Sequence, residues 1–156
     1  MKYPPEQKER SLEVKAYTNR IVVCGTRKYN DRHKFHSVML DYLETFESPV
    51  LFISGAAPSG ADDLIIRWCM KFNYPCLEVP ADWDRLGQRA GFERNNRMVK
   101  IATHVVAFWD GRSPGTKHML EITSDLGLPE KIILINQENN GKQNPQKSVL
   151  VAGCAV

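Results

Sequence analysis

Residues 53–63 read ISGAAPSGADD, an apolar strand end, a glycine-rich turn and a helix start in succession. That order ordinarily holds a phosphate on free backbone N–H groups. Asp62 and Asp63 fall in the first helical turn, however, and two carboxylates there repel a phosphate. A carboxylate instead accepts hydrogen bonds from a ribose diol, so this turn suits the sugar or base side of a nucleotide. Ser59 and Asp62 also have the S-x-x-D form of a capping box. Gly55 and Gly60 permit a tight turn and close approach by a ligand, while Ala56, Ala57 and Ala61 keep the floor low.

A phosphate finds a better home in DGRSPGTK at 110–117. After Asp110 and Gly111, Ser113 and Thr116 offer hydroxyls, Gly115 and Thr116 open a helix, and Arg112 and Lys117 add positive charge. Pro114 suits the first turn of that helix. In GTRKYND at 25–31, Gly25 and Thr26 precede Arg27, whose guanidinium can fork onto a phosphate, and Asp31 can cap the next helix. The segment ADWDRLGQRAGFERNNRM supplies Trp83, Asp84, Arg89, Arg94, Asn95 and Arg97. On a helix, Arg94 and Asn95 share a side with Gly91 and Met98. Trp83 either stacks on a base or anchors its loop against the core, and Trp109, at a strand end, belongs to the core.

Five apolar runs must position these loops: IVVCG at 21–25, VLFIS at 50–54, CLEVP at 76–80, HVVAFW at 104–109 and KIILIN at 131–136. Continuously apolar and rich in Val and Ile, they have the pattern of parallel strands covered on both faces. Between them, residues 34–46, 61–73, 89–102 and 116–126 carry apolar side chains at spacings of three and four, which predicts helices. The alternation predicts an α/β fold, a Rossmann-like, doubly wound, mostly parallel five-stranded sheet with helices on both faces. Ligands bind such sheets at the carboxyl ends of the strands, where the glycine-rich and polar segments above all fall.

The chain has 156 residues, 42% of them hydrophobic, enough for one core. Residues 1–18 read as a charged N-terminal arm, 19–136 as the Rossmann-like domain and 137–156 as a polar, flexible tail whose last eight residues are apolar enough to add a strand or dock on a partner. A net charge of +3, dispersed along the sequence, gives little support to nucleic-acid binding. No window has the length of a membrane span, no signal-peptide stretch opens the chain, and a cytoplasmic protein is expected. Cys24, Cys69, Cys76 and Cys154 lack metal-ligand spacing, so neither a metal nor a structural disulfide is expected.

The motifs CGTRKYND, ISGAAPSGADDLIIRW, PADWDRLGQRAGFERNNRMV and VAFWDGRSPGTKHM, in that order, resemble those of the YspA-like branch of the SLOG superfamily. That superfamily includes the LOG phosphoribohydrolases and the DprA DNA-processing proteins. The resemblance covers residues 21–136 and implies a Rossmann-like fold that binds a nucleotide or nucleotide-derived ligand, without a further cofactor and commonly as a homodimer. It implies that the glycine-threonine turn at Gly115–Thr116 belongs to the ligand site and that Arg94 and Met98 match the arginine and methionine of the LOG motif. The LOG hydrolases follow that turn with a glutamate that assists cleavage between base and ribose 5′-monophosphate. Here the sequence is GTKHMLE, and Glu121 is rotated about 140° from Thr116 on a helix. His118 stands near the expected acid. No catalytic residue is assigned, and the expectation is a protein that senses, carries or sequesters a small nucleotide or NAD-derived molecule. The alternatives are a LOG-type hydrolase, with Asp62, Glu121 or His118 moving protons, and DprA-like DNA binding.

Overall fold

The computed structural model describes residues 13–135 and 149–150. Most of the expected arm and tail, including Cys154, lies outside the described residues. Strands β1 (Asn19–Gly25), β2 (Val50–Ser54), β3 (Cys76–Glu78), β4 (His104–Trp109) and β5 (Glu130–Leu134) form a parallel sheet in the order β3-β2-β1-β4-β5. A two-residue strand, β6 (Val149–Leu150), adds antiparallel to β5, so part of the apolar C-terminus does extend the sheet.

The central strands are buried apart from the ends of β1 and β4 and divide their side chains by alternation. Ile21, Val23, Phe52, Val106 and Phe108 enter one core. Val22, Cys24, Ile53, Val105 and Ala107 enter the other. Helices α1 (Arg32–Leu43) and α2 (Gly60–Phe72) cover the first face through Phe35, Met39, Ile65 and Trp68. The second face is covered by α4 (Ala90–Ile101) and α5 (Pro114–Asp125), through Met98, Val99, Met119 and Leu120. The four expected helices and five expected strands are present, with ends shifted by a few residues. A short helix α3 (Trp83–Leu86) and a 3₁₀ turn (Gly87–Arg89) also form between β3 and α4. Asp82 begins α3 by accepting the Arg85 N–H at 3.1 Å, a local cap too brief to leave a periodic pattern.

Because β1 leads outward to β2 on one side and β4 lies on its other side, the strand order reverses between β1 and β4. The loops that follow these two strands diverge there and leave a crevice at the carboxyl edge.

Candidate ligand site at the strand-order reversal

A cavity of about 650 Å³ opens at this reversal. Its lining draws on the loops after β1, β2 and β4 and on the α3–α4 segment. Of the expected site residues, Gly25, Thr26, Arg27, Asp62, Trp83, Arg94, Asn95, Met98, Asp110, Ser113, Gly115 and Thr116 line it. Gly55, Ala56, Ser59, Gly60, Ala61 and Gly111 do not.

The β2–α2 turn has a packing role that its glycines did not reveal. Gly60 has φ +70°, and a Cβ there would collide with the Thr26 carbonyl and Arg27 Cα. The loop after β1 therefore lies directly over the start of α2. A Cβ on Gly55 would stand 2.5 Å from Arg94 Nη1 and 2.8 Å from Asp62 Oδ2, so this glycine makes room for a buried ion pair. Ala56 adopts φ 56°, with its N–H on Ser54 Oγ at 3.1 Å. The capping box does not form. Ser59 is exposed and makes no side-chain cap, whereas Asp62 turns back to accept the Ala57 N–H at 3.2 Å. The backbone of the loop has displaced the capping geometry, because Asp62 is needed beneath it.

Asp62 and Arg94 are both nearly enclosed, with Nη1 and Oδ2 4.0 Å apart. Arg94 Nη1 also donates to the Gly55 carbonyl, and Nε donates to Asn95 Oδ1 at 3.3 Å. Burial raises the Asp62 pKa, against the lowering effects of Arg94, the Ala57 N–H and Arg27. Burial likewise lowers that of Arg94, against the attraction of Asp62. For each partner, desolvation outweighs mutual attraction, so the pair is chiefly a brace that ties α4 to the β2–α2 turn. Asn95 continues it. Its Nδ2 donates to the Gly115 carbonyl at 3.0 Å and lies 3.2 Å from His118 Nδ1. Met98, beneath them, is core with one edge on the cavity.

The β4–α5 turn is built differently. Asp110 Oδ1 accepts the N–H groups of Arg112 and Ser113, both at 2.8 Å, and the Ser113 hydroxyl at 3.0 Å. An acid thus lies inside this turn, between its backbone and its basic residues. Although burial acts to raise the Asp110 pKa, these bonds and Thr26 hold it below the usual carboxylate value. Thr26 Oγ1 accepts the Asp110 N–H at 3.1 Å and meets Ser113 Oγ at 3.1 Å, which joins the two loops across the crevice. Trp109 supports the same turn by donating Nε1–H to the Ser113 carbonyl at 3.2 Å. Ser113 gives α5 no side-chain cap and Pro114 has no N–H, which leaves the N–H groups of Gly115 and Thr116 at the start of the helix. A Cβ on Gly115 would meet no atom within 4 Å.

Across the cavity, Trp83 is 48% exposed, so it is not a buried anchor. The Arg27 guanidinium stands 5.6 Å from its ring centroid, and its Cη2 lies 3.4 Å from where a Gly91 Cβ would be. Lys28, Gln88 and Phe92 also line the cavity and were not singled out from the sequence, and Arg112, expected as a positive charge at the phosphate turn, lines it too. Only the helical register, which puts Gln88, Gly91, Phe92 and Asn95 at spacings of three and four, hinted at them. Glu121 pairs with Lys117 at 3.8 Å and is exposed, and His118 packs its ring 4.3 Å from that of Phe92. Among the described residues, no three His, Cys, Asp or Glu side chains cluster as metal ligands, and no helix is long and apolar enough to cross a membrane.

Residues 19–86 match the model of the YspA, cpYpsA-related SLOG family. Gene 61 protein of Mycobacterium phage D29 is 32% identical over 116 residues, covering 70% of this chain and 92% of that protein. The chain belongs to this SLOG family. Its fold is similar to that of DNA processing protein A (DprA) from Streptococcus pneumoniae, with a TM-score of 0.63 at 15% identity over 82% of this chain. The chain spans 54% of that structure, about half its length.

Proposed function

We propose that this protein binds a small nucleotide or nucleotide-derived molecule in the β1/β4 crevice and acts by sensing, carrying or sequestering it. The observation that carries this reading is the amino terminus of α5, whose Gly115 faces open space beside Thr116 at the floor of the crevice. An anion there meets unpaired N–H groups and the positive end of the helix. The start of α2 is the less suitable phosphate site, since the loop after β1 covers it and Asp62 stands in its first turn. Arg27, Lys28 and Arg112 supply cationic side chains around the opening, and Trp83 offers a face for a base. Asp62 uses Oδ2 for Ala57 and Arg94, so a ribose hydroxyl is assigned to Oδ1.

Hydrolysis of the bond between base and ribose requires a group that moves a proton at that bond. The carboxylates lining the cavity are Asp62 and Asp110, the first braced against Arg94 and the second engaged by its own turn. His118 lies behind Asn95. This supports binding in preference to cleavage.

The test is thermal denaturation against a panel of nucleosides, 5′-mononucleotides and dinucleotides, with chromatography of each stabilising mixture for released base. A 5′-phosphorylated compound should raise the melting temperature without being consumed. Base release in proportion to protein would replace the binding reading with a hydrolase. No response from any phosphorylated compound would remove both.

A further inference from the structure

A second cavity, of about 460 Å³, lies between α1 and α2 and shares no lining residue with the crevice. Rows of side chains four apart along the two helices build it. Leu64, Trp68 and Phe72 make one row along α2, and with Phe35 of α1 they form an apolar floor. Arg67 and Lys71 run beside that row, while Arg32, His33 and His36 stand on the opposite helix, so both margins carry donors and no carboxylate lines the groove. The Trp68 indole donates Nε1–H to His36 Nδ1 at 2.9 Å, which places the His36 ring hydrogen on Nε2. Lys71 Nζ stands 5.5 Å from the Phe72 ring centroid, and that ring stacks on His36 at 5.0 Å. The acids nearest in sequence are engaged locally. Asp31 accepts the Lys34 N–H at 3.0 Å, and Asp63 Oδ2 pairs with Arg67 Nε at 2.7 Å. Among the described residues, Arg32 and Lys71 have no carboxylate within ion-pair distance.

We propose that this groove docks an acidic amphipathic helix of a partner protein. The apolar stripe of that helix lies on the floor, with its carboxylates against Arg32 on one margin and Arg67 and Lys71 on the other. Two adjacent helices leave a groove into which the ridge of a third fits. The floor from Leu64 to Phe72 runs for about 12 Å of helix, two turns, which matches apolar anchors at i, i+4 and i+7. Phe72 is 39% exposed, and Leu40, 45% exposed, continues the α1 row beyond His36, so docking removes apolar surface from water at the open end of the groove. The cations select the partner: a helix with lysine beside its stripe meets like charge on both margins. No residue of the crevice takes part, so docking is independent of ligand binding there.

Selection from a phage-displayed library tests this, each clone carrying a helix of about 16 residues with its stripe drawn from Leu, Ile, Met, Phe and Trp and its flanking positions from Glu, Lys, Gln and Ala. The full chain should enrich glutamate on both sides of the stripe. By fluorescence anisotropy, the leading peptide should bind Arg32→Glu and Lys71→Glu about tenfold more weakly than the parent. Both sites are exposed, and both variants should melt close to the parent temperature. Lysine in place of the peptide's glutamates should restore binding to the protein carrying both substitutions. Arg112→Glu, which alters the crevice, should bind the peptide as the parent does, so that failure here is distinct from failure of the ligand site. No enriched clone, enrichment indifferent to the flanking charge, or a peptide whose binding survives both substitutions overturns the proposal. Without acidic-helix enrichment, parent binding to phosphatidylserine vesicles, oligo(dT) or naphthalenesulfonate that the same substitutions abolish overturns it too, and assigns the groove to a membrane, a nucleic acid or a small aromatic anion.

Discussion

Gly115 faces open space, so a side chain there is expected to leave the fold intact and to enter the proposed anion site. Gly115→Asp should melt close to the parent temperature yet lose all stabilisation by a 5′-nucleotide, through both bulk and charge. Unaltered stabilisation of the folded variant would clear this turn of any role. Arg94 leads to a different expectation from the one its charge first suggests. Arg94→Ala leaves Asp62 buried without its counterion and the Gly55 carbonyl without its donor, at a cost of about 3 kcal/mol in stability. Adding Asp62→Asn should return part of that loss, because the orphaned charge is gone. Urea denaturation of the two variants and the parent measures it, and a full-strength Arg94→Ala protein would show that the pair is no brace. The types and approximate neighbourhood of these residues were legible in the sequence. Their partners were not, since Arg94 meets Gly55 only after β2 and α4 are brought together by the fold, and nothing local distinguishes a phosphate ligand from a buried brace.

The β4–α5 element depends on Asp110. Its carboxyl pKa lies below the ordinary 3.8, so the stabilisation it gives is complete above that value and disappears as pH falls through its folded value. Asp110→Ala should therefore be less stable than the parent by about 1–2 kcal/mol near neutrality, and the gap should close in strong acid. Denaturation curves at several pH values give the difference, and a gap independent of pH would mean that the carboxylate charge does not hold the turn. At this scale periodicity served well. Strands β1, β2 and β4 are buried on both faces and read as continuous apolar runs, and α2, α4 and α5 were visible from their spacing. By contrast, α3 and the 3₁₀ turn occupy seven residues rich in charge, too short to repeat any apolar period. The failure of the Ser59–Asp62 box has the same origin: a capping pattern is local, whereas the loop that covers Gly60 arrives from β1.

At the scale of the whole molecule, the parallel order β3-β2-β1-β4-β5 places the glycine-rich loops that follow the strands at one edge. The sequence indicated that arrangement through the positions of its polar segments, but could not give the size of the crevice, which depends on how far the two central loops diverge. A homodimer is the proposed assembly, as the family resemblance implied. Sedimentation velocity at micromolar concentration should give twice the chain mass of 17.8 kDa, and a single boundary at the chain mass would exclude it.

The three tryptophans occupy three optical environments. Trp68 is buried among Phe52, Phe72 and Tyr74, Trp109 is half-buried with its indole N–H held by Ser113, and Trp83 is open to water at the crevice. Trp68 should therefore dominate the near-ultraviolet dichroism and emit towards the blue, and Trp83 should supply the red-edge emission that acrylamide extinguishes. The Trp83→Phe protein should lose that quenchable fraction and keep the dichroism. Emission at the red edge consequently follows events at the crevice, while the dichroic band follows the packing of α1 and α2 against the sheet, so one unlabelled sample separates a change at the opening from the melting of the core behind it.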